Sequence, residues 1–583
     1  MSITRELILA AQPSTTRGVP VHLSYDPKSD RIAYASNRSI FLRSVSEPEK
    51  SVQYVNHSFP TTVAKFSPSG FYVASGDDHG NVKVWDCVGE DMVTKGEYQV
   101  ISGRICDLTW DADSQRIIAV GDGKERYGHC FTWDSGNSVG EISGHTGVVN
   151  SASIRPVRPY RAATVSDDGN LVFYQGPPFR FTHSQRDNHT SFVHEVEFSP
   201  DGKYIVSVGA DKKIVLYDGK EGQCLGLIGE DDGHQGGIFG VAWSPDSTKL
   251  ATASADGSIR LWDVETKKAI RVWRHEYKLE NQQMGVVFAG PDRIISVAFN
   301  GDLIYYKVDS DEIEQRITGH QRTITAVANK DNVYTASYDG TMVRWNGNTA
   351  ESVEKHKGLV LGLVAGSKLW SASWDDTLKT ISGVKFDSSV DLESQPKAVS
   401  GYEDNVVIAF DSAVQLYSNG SKGPRIEASS PSAVAISKDC VAVGLVSSVE
   451  LYDTKLSHLA SLPMRSATTY LAFSPNGEYL AAGDSAGKIT VFKVSDRTVY
   501  TSRWSFHASR ITYMSWHPSG DYLVSGSVDS NVIVYSLQSP GKNVKYPNAH
   551  KDGVNVVCWT GDNTFVSGGA DACVKHWQVE FKK

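Results

Sequence analysis

The 583-residue chain is 40% hydrophobic, contains 51 glycines and 25 tyrosines, and carries a formal charge of −9. That balance excludes a disordered chain, no stretch reaches the roughly 18 apolar residues of a membrane helix, and the acidic surplus argues against a nucleic-acid binder, which needs a basic face to displace counterions. Seven scattered cysteines, never spaced as CxxC, read as reduced small side chains rather than a disulfide framework, so a cytoplasmic protein is expected.

Residues 5–12, RELILAAQ, form a free, largely apolar strand ahead of the first repeat. From there a strand-closing aromatic or its substitute recurs, usually six residues after an acid: Phe41, Trp85, Trp133, Tyr174, Tyr217, Trp262, Tyr306, Trp345, Ile381, Tyr417, Tyr452, Phe492, Tyr535 and Trp577. The period is about one propeller blade, and propellers close with four to eight blades. Fourteen repeats therefore predict an all-β chain of two seven-bladed propellers in tandem. The expected domains are 16–315 and 316–583. Residues 1–15 are expected to supply a strand that closes the second ring, because the chain ends on VKHWQVEFKK with no fourth strand after it. The rival topology puts residues 5–12 into the seventh blade.

Departures from the period are where loops can carry function. The third blade stretches its turn to GDGKERYGHC, residues 121–130, which offers Lys124, Glu125 and Arg126 as charged contacts. In the fourth, SDDGN holds two acids; Asp168 takes the structural place, and Asp167 is expected to face solvent. GPPFRFTHSQRDNHTSFVH, residues 176–194, follows, with Phe179, Phe181 and Phe192 near Arg180. At least one of these aromatics is expected to pack inside the blade. Exposed aromatics beside an arginine are what protein interfaces favour.

The clearest repeat is GHQGGIFGVAWSPDSTKLATASADGSIRLWDV, residues 233–264: three alternating runs parted by Pro245-Asp246 and Asp256-Gly257, with AIRVWRH as a fourth strand. It resembles the WD-repeat family at four separated positions, His234, Thr252, Asp256 and Trp262. The resemblance implies a buried hydrogen-bonded chain from Trp through Ser/Thr and His to Asp. The same set is expected at His550, Ser567, Asp571 and Trp577, and at His320, Thr335, Asp339 and Trp345. The blades closing at Trp85, Tyr452 and Phe492 have His79, Val446 and Ala486 where the Asp should stand, and apolar packing is expected to replace the chain there.

Gly483-Asp484-Ser485-Ala486-Gly487 matches the GxSxG elbow of hydrolases, but that motif needs a helix after its turn and KITVF reads as a strand. No catalytic set, metal-ligand spacing or cofactor cradle is found, so a non-enzyme without cofactor or metal is expected.

Fourteen repeats filling a chain of this length, the opening GVPVHLSYDPKSDRIAYASNRSIFLR, the GKERYGH insertion and GPPFRF together resemble the actin-interacting protein family of cofilin cofactors. The resemblance implies a monomeric cytoskeletal protein of actin-rich cortical structures that binds cofilin-decorated actin filaments, promotes their disassembly and restrains barbed-end regrowth. Carried over by position, its contact residues fall on Glu125, Asp167, Arg180, Phe181 and Phe192. Arg180 stands where family members can carry Lys, which keeps the charge and changes the geometry. From the fold alone, a scaffold or adaptor of another protein complex stays open.

Overall fold

The computed structural model describes residues 1–89 and 91–581. It consists of fourteen four-stranded antiparallel sheets, numbered here as blades 1–14 in chain order. Among the described residues the sole helix is a 3-10 turn at Leu279–Asn281.

Blade 6 shows how the sequence builds each sheet. Its strands are Ile238–Trp243, Lys249–Ser254, Ser258–Asp263 and Lys268–Arg274. The first three are buried nearly throughout, since neighbouring blades cover both faces, while the fourth alternates between exposed and covered residues at the perimeter. Gly257, at φ 76°, makes the tight turn between the second and third strands.

Residues 12–317 form one compact unit, and residues 1–11 together with 318–583 form another. In the first unit the innermost strands of blades 1–7 neighbour one another in sequence, and Gln283–Phe288 of blade 7 returns to Ser24–Asp26 of blade 1. In the second, Val554–Trp559 of blade 14 meets Ile324–Lys330 of blade 8, with the Asn555 amide donating to the Ile324 carbonyl at 2.9 Å. Both are closed seven-bladed rings. Blade 14 takes its outer strand from Ser2–Leu9, which runs antiparallel to Val574–Glu580 from Ser2 opposite Glu580 to Leu9 opposite Val574. Leu9 packs with Ile324, Trp345 and Val574.

The polar chain between strands is complete in blade 6: Trp262 Nε1 donates to Thr252 at 2.8 Å, and His234 lies 2.7 Å from Thr252 and 3.0 Å from Asp256. Blade 14 repeats it with Trp577, Ser567, His550 and Asp571 at 2.7, 2.7 and 2.8 Å. Blade 8 corrects the sequence reading. Trp345, Thr335 and His320 are joined, but Asp339 turns to Ser337, Thr341 and Lys355, and His320 Nδ1 is buried without a partner. Blade 2 corrects it in the other direction. His79 does not break the chain, because Asp77, two residues earlier, faces His57 at 3.3 Å, and His57 and Trp85 both reach Ser75. Asp484 in blade 12 likewise accepts the Ala486 and Lys488 N–H groups.

Two strand-closing positions also shift. Leu250 pairs with Trp262 in blade 6, and the corresponding partner of Ile32 in blade 1 is Arg43, not Phe41. The Asn37-Arg38 hairpin is one residue shorter than the regular turn, so the closing position falls on Arg43, which stays buried by donating to Pro48 O and Gln12 Oε1. In blade 3 Ile117 pairs with Phe131, and Trp133 lies beyond the strand, its indole donating to Ser114 O.

An innermost strand has one edge facing the ring axis, and its free N–H groups need acceptors. In the first unit the preceding blade supplies them. Asp107 accepts from Ala152, Ser151 from Val196, Ser153 from Phe198, Glu195 from Val241 and Glu197 from Trp243, at 2.7–3.3 Å. Asp107, Ser153, Glu195 and Glu197 border an axial cavity of about 300 Å³ that Lys65 also lines. His22 lies 2.9 Å from Glu195. Burial, aided by the charge on Glu195, pushes the Glu197 carboxyl up to about 8.

Candidate functional site

Blade 4 consists of Val149–Ile154, Arg161–Ser166, Leu171–Gln175 and Arg180–Gln185, and blade 5 begins at Val193. Its polar chain is intact: His145 lies 3.0 Å from Asp168 and 2.8 Å from Thr164. Burial would raise the Asp168 carboxyl, but the hydrogen bonds from His145 and the Thr146 N–H outweigh it and hold the group at about 2. Asp168 is thus a fixed anion serving the turn.

That anchoring leaves Asp167 at the rim, where its N–H donates to Val148 O. The carboxylate is half-buried rather than free in solvent as the sequence suggested. Asn150 Nδ2 donates to its Oδ1 at 2.7 Å and to Val193 O at 2.9 Å, because Asn150 sits one strand inward and projects toward the same rim.

The three phenylalanines separate cleanly. Phe179 is 2% exposed and its N–H bonds to Val139 O, which ties the 176–180 segment to blade 3. Phe181 and Phe192 are 48% and 53% exposed. Phe181 lies over Gly144, where a β-carbon would fall 2.7 Å from the ring. Arg180 is exposed one residue before it and has no acidic partner among the described residues. Phe192 caps the loop into blade 5, which is held on one side by His189 with Asp211 and on the other by the Ala210 N–H to Phe192 O.

The third-blade insertion is the turn between Arg116–Gly121 and Gly128–Thr132. Lys124, Glu125 and Arg126 are exposed on it. Its Tyr127 hydroxyl reaches Thr146 O at 3.5 Å, so the insertion abuts the same Ser143–Val148 loop that meets Phe181 through Gly144 and Asp167 through Gly147. Glu125, Asp167 and Phe192 therefore lie on loops of blades 3 to 5, while Phe181 stands on the outer strand of blade 4 against the 143–148 loop that also meets Tyr127 and Asp167, with Arg180 beside it. Sequence reading passed over two further rim groups: Phe59, stacked on His79 at 3.7 Å, and Tyr277, which is 84% exposed. Tyr277 sits in a long loop between blades 6 and 7, and that extra length was the available signal.

Among the described residues no set of three His, Cys, Asp or Glu side chains forms a metal-ligand group. All seven cysteines are free thiols. The GxSxG segment is a turn from Tyr479–Asp484 into the strand Ile489–Lys493, so it lacks the helix a nucleophile elbow requires. No helix among the described residues is long and apolar enough to cross a membrane.

The family model described as WD domain, G-beta repeat matches residues 49–86, 181–218 and 222–263, and that of the anaphase-promoting complex subunit 4 WD40 domain matches 467–562. A WD repeat-containing protein of Schizosaccharomyces pombe is 41% identical, with 98% of each chain covered. Actin-interacting protein 1 of Drosophila melanogaster is 35% identical, again over 98% of both chains. The chain belongs to the actin-interacting protein 1 family. WD repeat-containing protein 1 of Xenopus tropicalis, 36% identical over 99% of both chains, is a further relative. For a member of the actin-interacting protein 1 family, the rim of blades 3 to 5 combines a rigid polar base with two half-exposed aromatics, an arrangement suited to protein contact rather than to bond-making chemistry.

Proposed function

We propose that this protein binds actin filaments decorated with cofilin through the rim of blades 3 to 5, promotes their disassembly and restrains regrowth at barbed ends. Phe181 and Phe192 are the apolar anchors, and Glu125, Asp167 and Arg180 set the register. The observation that carries the reading is the exposure of two phenylalanines, one on the outer strand of blade 4 and one on the loop into blade 5, in a chain whose full-length relatives include proteins named actin-interacting protein 1. We assign the contact to the unit of residues 12–317.

No covalent step is involved. A binder shifts a filament toward the disassembling state by holding that state more tightly than the intact one. The protein acts as a monomer without a cofactor, at actin-rich cortical structures. The test is sedimentation of preformed filaments with this protein, with and without cofilin. Loss of pelletable actin only when both are present supports the reading; equal loss without cofilin, or none with it, refutes it.

A further inference from the structure

We infer that Asn150 is a positioning residue that locks Asp167 to the Phe192 loop, so that the carboxylate and the aromatic meet a partner as one preset unit. The inference rests on the contact reading above and assigns a role to a residue that does not itself reach the partner.

Asn150 is 9% exposed and is the bulged residue of its strand: the ladder passes from Val149 opposite Ser166 directly to Ser151 opposite Val165. A bulge re-aims the side chain it carries. Here both amide hydrogens are used, one on Asp167 Oδ1 at 2.7 Å and one on Val193 O at 2.9 Å, the carbonyl next to Phe192.

Comparison with other blades separates what is general from what is particular. The corresponding bulge residues His194, Thr325, Thr512 and Asn555 also reach the first carbonyl of the next blade, at Ile238, Val360, Val554 and Ile324. The bond to Val193 is thus a blade-to-blade clasp that the fold uses repeatedly. The bond to Asp167 is the addition. Beside those four residues, the positions equivalent to Asp167, each marked by an N–H bonded to the incoming loop, are Ala210, Tyr338, Val528 and Ala570, none of them a carboxylate. A threonine or a singly bonded imidazole has one donor to give, whereas the primary amide has two. Blade 4 therefore pairs the residue able to hold two acceptors with the acid that provides the second.

The decisive variant is Asn150→Thr, since threonine makes the clasp in blades 8 and 13. It should melt within a degree or two of the wild type yet bind cofilin-decorated filaments about tenfold more weakly, the scale of one hydrogen bond to a charged group. In an Asp167→Ala background the same change should cost nothing more, while in an Arg180→Ala background it should still cost tenfold. Asn150→Ser, with a smaller hydroxyl, serves if the threonine variant folds poorly. Wild-type binding by Asn150→Thr, or a loss that multiplies with that of Asp167→Ala, overturns the positioning role alone. Wild-type binding by Asp167→Ala overturns the contact reading and the positioning role together.

Discussion

Replacing Phe192 by alanine tests the candidate contact most directly, because the structure divides that side chain between fold and solvent. The residue is 53% exposed. A phenylalanine offers about 200 Å² of surface, so roughly 100 Å² is open for a partner to cover. At about 25 cal/mol per Å² that cover contributes about 2.5 kcal/mol, or close to 70-fold in Kd. By the same arithmetic the covered half contributes about 2.4 kcal/mol to the fold, too little to unfold a closed ring. Phe179→Ala is the matched control: with 2% exposure it should cost about 3–5 kcal/mol of stability through a core cavity and leave the affinity of the folded fraction unchanged. The assay is cosedimentation with cofilin-decorated filaments over a range of protein concentrations, alongside urea unfolding of each variant. If Phe192→Ala binds within twofold of the wild type, or Phe179→Ala weakens the folded protein's binding as much, the reasoning from exposure fails.

Trp262→Ala should lower unfolding stability by about 3–5 kcal/mol in urea titrations, since it empties a fully buried site and removes the donor to Thr252. Acid should weaken the ring of blades 8 to 14. Burial lowers His356 and His550 and takes His320 down to about 4, while hydrogen bonds from Thr377 and His356 outweigh burial and hold Asp375 at about 2. The unfolded chain binds protons first in every case, so stability should fall as pH drops below about 6.5 and again below about 4. Amide protection factors in those blades, corrected for the intrinsic pH dependence of exchange, that stay level from pH 7 to 4 would contradict this. Glu197 runs the opposite way: with its folded value near 8, the unfolded chain ionises first, and stability falls as pH rises from about 4 to 8. Glu197→Gln keeps an acceptor for the Trp243 N–H and should melt higher than the wild type at pH 8, with the gap closing toward pH 5; equal melting at both values would sink the idea.

The fold was legible because His234, Thr252, Asp256 and Trp262 recur at spacings imposed by strand length, and the fourteen sheets fall where that period puts them. Errors arose where a turn changed length. In blade 1 the short hairpin put Arg43, not Phe41, at the closing position, and in blade 3 an aromatic one residue past the strand end stood in for Phe131. Asp77 replaced the acid missing at His79, because a carboxylate on the strand end can reach the same imidazole as one in the turn. Asp339 failed for the converse reason: Lys355 and two hydroxyls compete for it, and spacing does not record competition. At the candidate site, composition marked Phe181 and Phe192 as unusual, but which of three phenylalanines is buried depends on Val139 across a blade boundary. Asn150 carried no signal, since a bulge leaves no trace in the alternation of a short strand.

Blade 14 joins the two ends of the chain, and that places a demand on synthesis. Leu9 leaves the ribosome 565 residues before Val574, its partner in the sheet. At about 5–20 residues per second the nascent Ser2–Leu9 segment waits roughly half a minute to two minutes with its backbone unpaired. Residues 12–317 can complete their own ring during that interval. The cell therefore handles a half-finished molecule with one mature ring and one sticky leading strand, and an N-terminal fusion that hinders the late return of that strand should trap the product at this stage.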